Sequence, residues 1–241
     1  MKNEILNKLS ILIVVVVLLT ACGKKKEEKS DEKADAKKED VSQEGTKEMI
    51  FENDYAKVLK VTLEPNESLA PHEGKERLIY SLSDYSINWT EDGNDGVKKW
   101  KEGDVHFHST AKHSAENNGS ATAEWLVFMK KDAELPDCAE NTLDKDVNSV
   151  ATDFAEKSFD NEMFRLTEVS LPVGESIPMH SGVNRMIYSL TDYQLLYESN
   201  LEDQGVKEFK TGDLHWHDAC KHALENNGET DAKFLVIAYK K

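Results

Sequence analysis

The chain is poor in the residues and patterns that mark several protein classes. It holds three cysteines, Cys22, Cys138 and Cys220, with no Cys-x-x-Cys pair, which excludes zinc ribbons and fingers. Acidic residues outnumber basic ones 46 to 30, giving a formal charge of −16 with no basic stripe to offset it. Such a chain repels polyphosphate, so nucleic acid is excluded as a partner. Aromatics make up 8% of the residues and hydrophobic residues 39%, which suits two small cores. The apolar run Leu9 to Leu19, broken only by Ser10, is about half of what a membrane-spanning helix needs. No Ser-His-Asp or Cys-His spacing marks a nucleophile.

What the N-terminus does contain is Lys2 and Lys8, then that apolar run, then Leu19-Thr20-Ala21-Cys22. The arrangement resembles a bacterial lipoprotein signal peptide with its lipobox. By that resemblance residues 1–21 are removed and Cys22 carries diacylglycerol plus an amide-linked acyl chain such as palmitate, the two-chain anchor that stable membrane attachment requires. The expected location is the cell envelope, outside the cytoplasm, with membrane lipid as a partner. Residues 22–48 are mostly Lys, Glu, Asp, Ala and Ser and bury too little to order themselves, so a solvated tether is expected, with a helix held by Lys–Glu pairs as the competing reading. Export would permit a disulfide between Cys138 and Cys220, with two free buried thiols as the alternative.

Beyond the tether the chain repeats itself. Gly103 to Gly119 (GDVHFHSTAKHSAENNG) and Gly212 to Gly228 (GDLHWHDACKHALENNG) share one spacing, and Ser68 to Tyr85 matches Ser176 to Tyr193. Phe51 to Lys131 aligns with Phe159 to Lys240, the offset rising from 108 to 109 between Trp89/Tyr197 and Gly96/Gly205. The copies differ at more than half their positions, yet four histidines in each copy match, as do Arg77/Arg185 and Lys112/Lys221. Cys220 has no such counterpart, because Ala111 stands there, which argues against a catalytic thiol.

Short apolar runs bounded by Gly, Asp and Asn (Val58 to Leu63, Leu78 to Leu82, Ile87 to Trp89, Val97 to Trp100, Val105 to Phe107, Trp125 to Met129) predict an all-β sandwich or barrel. Asn117-Asn118-Gly119 and Asn226-Asn227-Gly228 read as turns using positive φ. In the connector, residues 132–157, the spacing of Val147, Val150, Ala151 and Phe154 predicts a short helix over a barrel face.

His113-x-x-x-Asn117 after Gly103-Asp104, and His222-x-x-x-Asn226 after Gly212-Asp213, resemble the second signature of the cupin superfamily. The Gly-to-His spacing is one shorter than usual, and the signature's Pro and second Gly are missing. The stretches around His72 and His180 resemble a weakened first signature. The resemblance implies two tandem double-stranded β-helix (cupin) barrels, residues 49–131 and 158–241. Metal-binding cupins use His-x-His, a Glu and a further His. Here Ala70 and Pro178, or Gly74 and Gly182, take one histidine position depending on register, and the carboxylate position falls at Glu76 or Arg77 in the first copy against Asn184 or Arg185 in the second.

On a strand, His106 and His108 project from one face and Val105 and Phe107 from the other. If the histidine face lines a barrel, His72, His106, His108 and His113, with His180, His215, His217 and His222 in the second copy, offer imidazoles to a divalent transition metal: zinc, iron, manganese, nickel or copper. In the competing reading Arg77, Lys112 and Asn117, with Arg185, Lys221 and Asn226, join the histidines to bind a small-molecule anion such as a carboxylate, sugar acid or phosphate. The third reading is an interaction lipoprotein with vestigial pockets, the histidines facing solvent. Clustered imidazoles also permit pH sensing near neutrality. Catalysis is left open.

Overall fold

Two faces of the same strands carry apolar residues, and that determines the architecture. The computed structural model describes residues 43–139, 141–201 and 204–241. The chain divides into Met1–Asp40 and Val41–Lys241. The signal peptide, Cys22 and nearly all of the tether lie outside the described residues. No helix among the described residues is long and apolar enough to cross a membrane.

The first repeat forms β1 (Thr46–Glu52), β2 (Ala56–Leu63), β3 (Ser68–Gly74), β4 (Arg77–Ser81) and β5 (Tyr85–Glu91). It continues with β6 (Asn94–Trp100), β7 (Val105–His108), β8 (Ala111–Asn117) and β9 (Ala123–Lys130). The second repeat forms β10 (Ala155–Asp160), β11 (Phe164–Leu171), β12 (Ser176–Gly182), β13 (Arg185–Ser189) and β14 (Tyr193–Ser199). Then come β15 (Gly205–Phe209), β16 (Leu214–His217), β17 (Cys220–Glu225) and β18 (Ala232–Tyr239). Each repeat folds into a five-stranded sheet (β1-β2-β9-β4-β7; β10-β11-β18-β13-β16) facing a four-stranded one (β3-β8-β5-β6; β12-β17-β14-β15). The described pairings are antiparallel apart from an isolated bridge between Glu44 and Ser68. The result is two tandem barrels, each made of a five-stranded and a four-stranded sheet.

Alternation along the five-stranded sheets separates two cores. In the first barrel Val61, Leu63, Ile79, Trp125 and Val127 point inward. Their neighbours Val58, Leu78, Tyr80, Leu126 and Phe128 point outward, onto Phe164, Leu166, Met186, Leu235, Ile237 and Tyr239 of the second barrel. Both faces are buried, which is why these strands read as continuous apolar runs. Val105 and Phe107 belong to the outer set, and Phe107 stacks near Phe159, ring centroids 6.2 Å apart. The core they fill is the seam between barrels, so the histidines between them face the barrel interior.

The connector is helical for one turn, α1 (Val147–Val150), after a 3-10 turn at Leu143–Lys145. Val147 and Ala151 pack into the second barrel's core. Strand β10 starts at Ala155, inside the stretch that sequence assigns to the connector. Asn118-Gly119 and Asn227-Gly228 do not adopt positive φ. That conformation falls instead on Gly103 (φ 86) and Gly212 (φ 89), where the turn lets Asp104 and Asp213 accept from the backbone N–H of Lys101 and Lys210 at 2.7 Å. Of the two alternatives for the cysteines, the structure has free thiols: Cys138 and Cys220 are unbonded, Cys138 partly exposed and Cys220 buried with its Sγ 3.3 Å from Ser199 Oγ.

Candidate functional site

Strand register brings one arginine and three histidines together inside each barrel. His72 on β3 lies opposite His113 on β8, and Arg77 on β4 opposite His108 on β7. In the second barrel His180 pairs with His222 and Arg185 with His217. An irregularity in the ladder between Leu69 and His72, repeated between Ile177 and His180, accommodates Pro71 and Pro178, which cannot donate to a ladder.

The His72 and His113 rings lie 4.3 Å apart, those of His180 and His222 4.1 Å. A carbonyl only accepts, so the contacts of His72 Nδ1 with Ala70 O (2.8 Å), His180 Nδ1 with Pro178 O (2.8 Å) and His113 Nδ1 with Ala111 O (3.3 Å) put the ring proton on Nδ1. Nε2 then carries the lone pair. Arg77 Nη2 donates to His113 Nε2 at 3.1 Å, and Arg185 Nη2 approaches His222 at 3.4 Å.

Both guanidiniums are buried, Arg77 6% and Arg185 3% exposed. Each has one nitrogen anchored to a backbone carbonyl, Lys75 O at 2.8 Å and Val183 O at 3.1 Å. Gly74 and Gly182 make this approach geometrically feasible. A Cβ at either would lie 2.4 Å from Nη1 and within 2.6 Å of the histidine Cε1, so the guanidinium occupies the room that a side chain there would fill. Burial, with Arg77 beside them, keeps His108 and His113 neutral, their pKa lowered to about 4; burial lowers His106 to about 3. His222 is held well below the ordinary imidazole value by burial and Arg185.

His106 and His215 extend the row beyond His108 and His217, 4.9 Å from each, and His215 lines the same cavity as Arg185 and His222. His106 stacks on Trp100 (3.7 Å) and His215 on Phe209 (4.8 Å), each meeting the next histidine edge-on. Lys112 is exposed, on the opposite face of β8 from His113, and Lys221 alternates with His222 in the same way on β17; neither joins the pocket. Asn117 and Asn226 are fully buried, but their amides are committed to the backbone. Asn117 Nδ2 donates to Leu63 O and Ala121 O (both 2.8 Å), and Asn226 Nδ2 to Leu171 O (2.8 Å) and Thr230 O (2.9 Å). Sequence reasoning missed Trp89 and Tyr197, which stack over the histidines from β5 and β14. Their position as an aromatic pair in the aligned copies was the available signal.

The donor set does not suit a metal. Among the described residues no three His, Cys, Asp or Glu side chains are arranged to hold one, and an arginine N–H uses the His113 lone pair that a cation would need. A positive charge in van der Waals range of the imidazoles adds repulsion.

By sequence the chain matches no protein-family model and no curated protein. By structure it is similar to a variant of Bacillus subtilis oxalate decarboxylase (13% identity, 83% of this chain and 74% of that one, TM-score 0.59). It is also similar to AerE from Microcystis aeruginosa (15%, 84% and 100%, 0.57) and a cupin 2 conserved barrel domain protein from Leptotrichia buccalis (16%, 83% and 90%, 0.50). The fold is that of the tandem cupins, or bicupins.

Proposed function

We propose that this chain is an exported, lipid-anchored bicupin that binds a small carboxylate through its buried arginine and neutral histidines. The observation that carries the proposal is Arg185. It is a guanidinium 3% exposed, inside a barrel, with no carboxylate partner among the described residues. A buried cation without a counter-ion is costly, and the planar fork of N–H donors matches a carboxylate. The carboxylate in the surrounding wall, Asp146, is already held by Arg165 at 2.9 Å. Neutral imidazoles at the rim add hydrogen-bonding capacity without competing for the anion. The lipobox sequence before Cys22 supports anchoring to a membrane outside the cytoplasm, and no reaction is assigned.

The tests use protein purified without an affinity tag. Thermal shifts against a panel of organic acids should disappear in Arg185→Lys and Arg185→Gln. A structural solution of oxalate decarboxylase bearing Mn(II) centres shares the fold, so metal content is measured in parallel. Stoichiometric metal that falls on His217→Ala would replace the anion reading with a metal one, whereas neither metal nor acid binding would favour vestigial pockets. Anchoring is checked by mass spectrometry of the mature N-terminus, with Cys22→Ser expected to abolish the lipid mass.

A further inference from the structure

The first barrel has an opening that its arginine does not use. Strand β6 ends the four-stranded sheet and β7 the five-stranded one, and among the described residues no ladder joins these two edges. A cavity of about 410 Å³ lies there, walled by β5, β6 and β7, within the roughly 300–1,000 Å³ of small-molecule sites. Gly96 pairs with Trp89 across the β5–β6 ladder, and a Cβ built on it would meet nothing within 4 Å. Glycine thus leaves room beside the Trp89 indole. Trp100 supplies a second indole, lying flat on His106 at 3.7 Å and 8°. Glu91 Oε2 accepts from Trp89 Nε1 at 3.1 Å and stands 3.5 Å from His108 Nδ1. Asp95 Oδ1 accepts from Thr90 Oγ1 at 2.6 Å. Each carboxylate is held by one oxygen and has a second to offer. His106 Nδ1 is buried with no hydrogen-bond partner among the described residues, an atom that a bound hydroxyl would satisfy.

The charges around this cavity decide the class of ligand. Glu91 and Asp95 in its wall oppose an anion, and Lys98 opposes a cation. Arg77 opposes a cation as well, since its charge adds to burial in keeping His106 and His108 neutral. A neutral ligand meets neither opposition. It must also offer an apolar face to the indoles, donors to the carboxylates and acceptors to the ammonium. A pyranose ring does all three, having a C–H face and a rim of hydroxyls that both donate and accept. We infer that the opening between β6 and β7 of the first barrel binds a neutral monosaccharide, packed on Trp89 and Trp100 and hydrogen-bonded by Glu91, Asp95 and Lys98. This site is separate from the arginine clusters and does not depend on the anion reading. A ligand of about a dozen heavy atoms binds such a half-open site with a Kd of roughly 0.1–10 mM.

The four tryptophans supply the readout. The full mature chain is titrated with the methyl glycosides of glucose, galactose and mannose while its indole N–H signals are followed by NMR. Trp89 and Trp100 should move saturably with at least one sugar. Trp125, in the inner core, and Trp216, in the seam, should stay still. Gly96→Leu places a side chain in the open space without displacing an atom and should weaken binding about tenfold or more, as should Trp100→Leu. Trp100→Phe should retain most of it. Unchanged Trp125 and Trp216 signals verify that each variant is folded. No saturable shift at Trp89 or Trp100 with any of the three sugars, or undiminished binding in Gly96→Leu, would overturn the proposal. Tetramethylammonium moving the same two signals at lower concentration than every sugar would overturn the neutral class in favour of a cation. Acetate is titrated separately and read on the Arg185 side-chain N–H, so the sugar site and the anion site fail independently.

Discussion

At the residue scale, Gly74 and Gly182 leave no room for a side chain beside the buried arginines. A methyl group at Gly182 meets the Arg185 guanidinium and the Cys220 carbonyl at 2.4 and 2.7 Å, so one of them must move. Gly182→Ala should cost about 1–3 kcal/mol and displace Arg185, reducing acid binding together with stability in denaturant titrations. The histidines give a pH prediction with a definite sign. Their pKa falls on folding to about 4 for His108 and His113, so between the unfolded value near 6.5 and about 4 the unfolded chain binds more protons. Their contribution is fully present above about pH 6.5 and is lost as pH drops through that window. Melting temperature should decline over it, and His113→Gln should flatten the decline. The repeat made the arginine and histidine pairs legible in sequence, because they match while neighbours drift. It also carried Lys112 and Asn117 into the set, since identity between copies does not distinguish a strand's two faces or a structural amide from a ligand.

At the element scale, the strands that line the site are the ones hardest to read. Runs such as Val58 to Leu63 and Trp125 to Met129 announced β2 and β9, because both of their faces are buried. Strands β3 and β8 passed unnoticed. The inward positions of β8 are Ala111, His113, Ala115 and Asn117, small or polar residues that break the apolar alternation a strand usually shows. The same physics that makes the pocket hid the element carrying it. Likewise Asn226 reads as a ligand group until its amide is found closing the loop after β17, donating to Leu171 and Thr230 and accepting from Gly228 N–H at 3.1 Å. Asn226→Ala would leave those buried carbonyls without donors, at about 2–5 kcal/mol for the set. Urea unfolding should show that loss, while the Arg185 side-chain response to acetate persists in the folded fraction.

At the scale of the molecule, the seam between barrels governs stability. It joins outward residues of both five-stranded sheets in a continuous apolar core, with Leu78, Leu126 and Phe128 meeting Met186, Leu235 and Ile237 at 0% exposure. Each such side chain contributes roughly 1.5–3 kcal/mol by burial, and none would be covered in a separated barrel. Two-domain chains often unfold in separate steps, but here losing one barrel strips the other's outer face. Calorimetry should therefore record one transition for residues 43–241. Met186→Ala should lower it as a unit, at about 2–5 kcal/mol, and Met186→Lys should do so more severely, since a buried unpaired charge has no partner there. Two resolved transitions, with only the later one moved by either substitution, would mean that the barrels are stable independently. The periodicity of the sequence revealed two barrels but not this dependence, because a run of apolar residues looks the same whether its second face meets its own barrel or the next one.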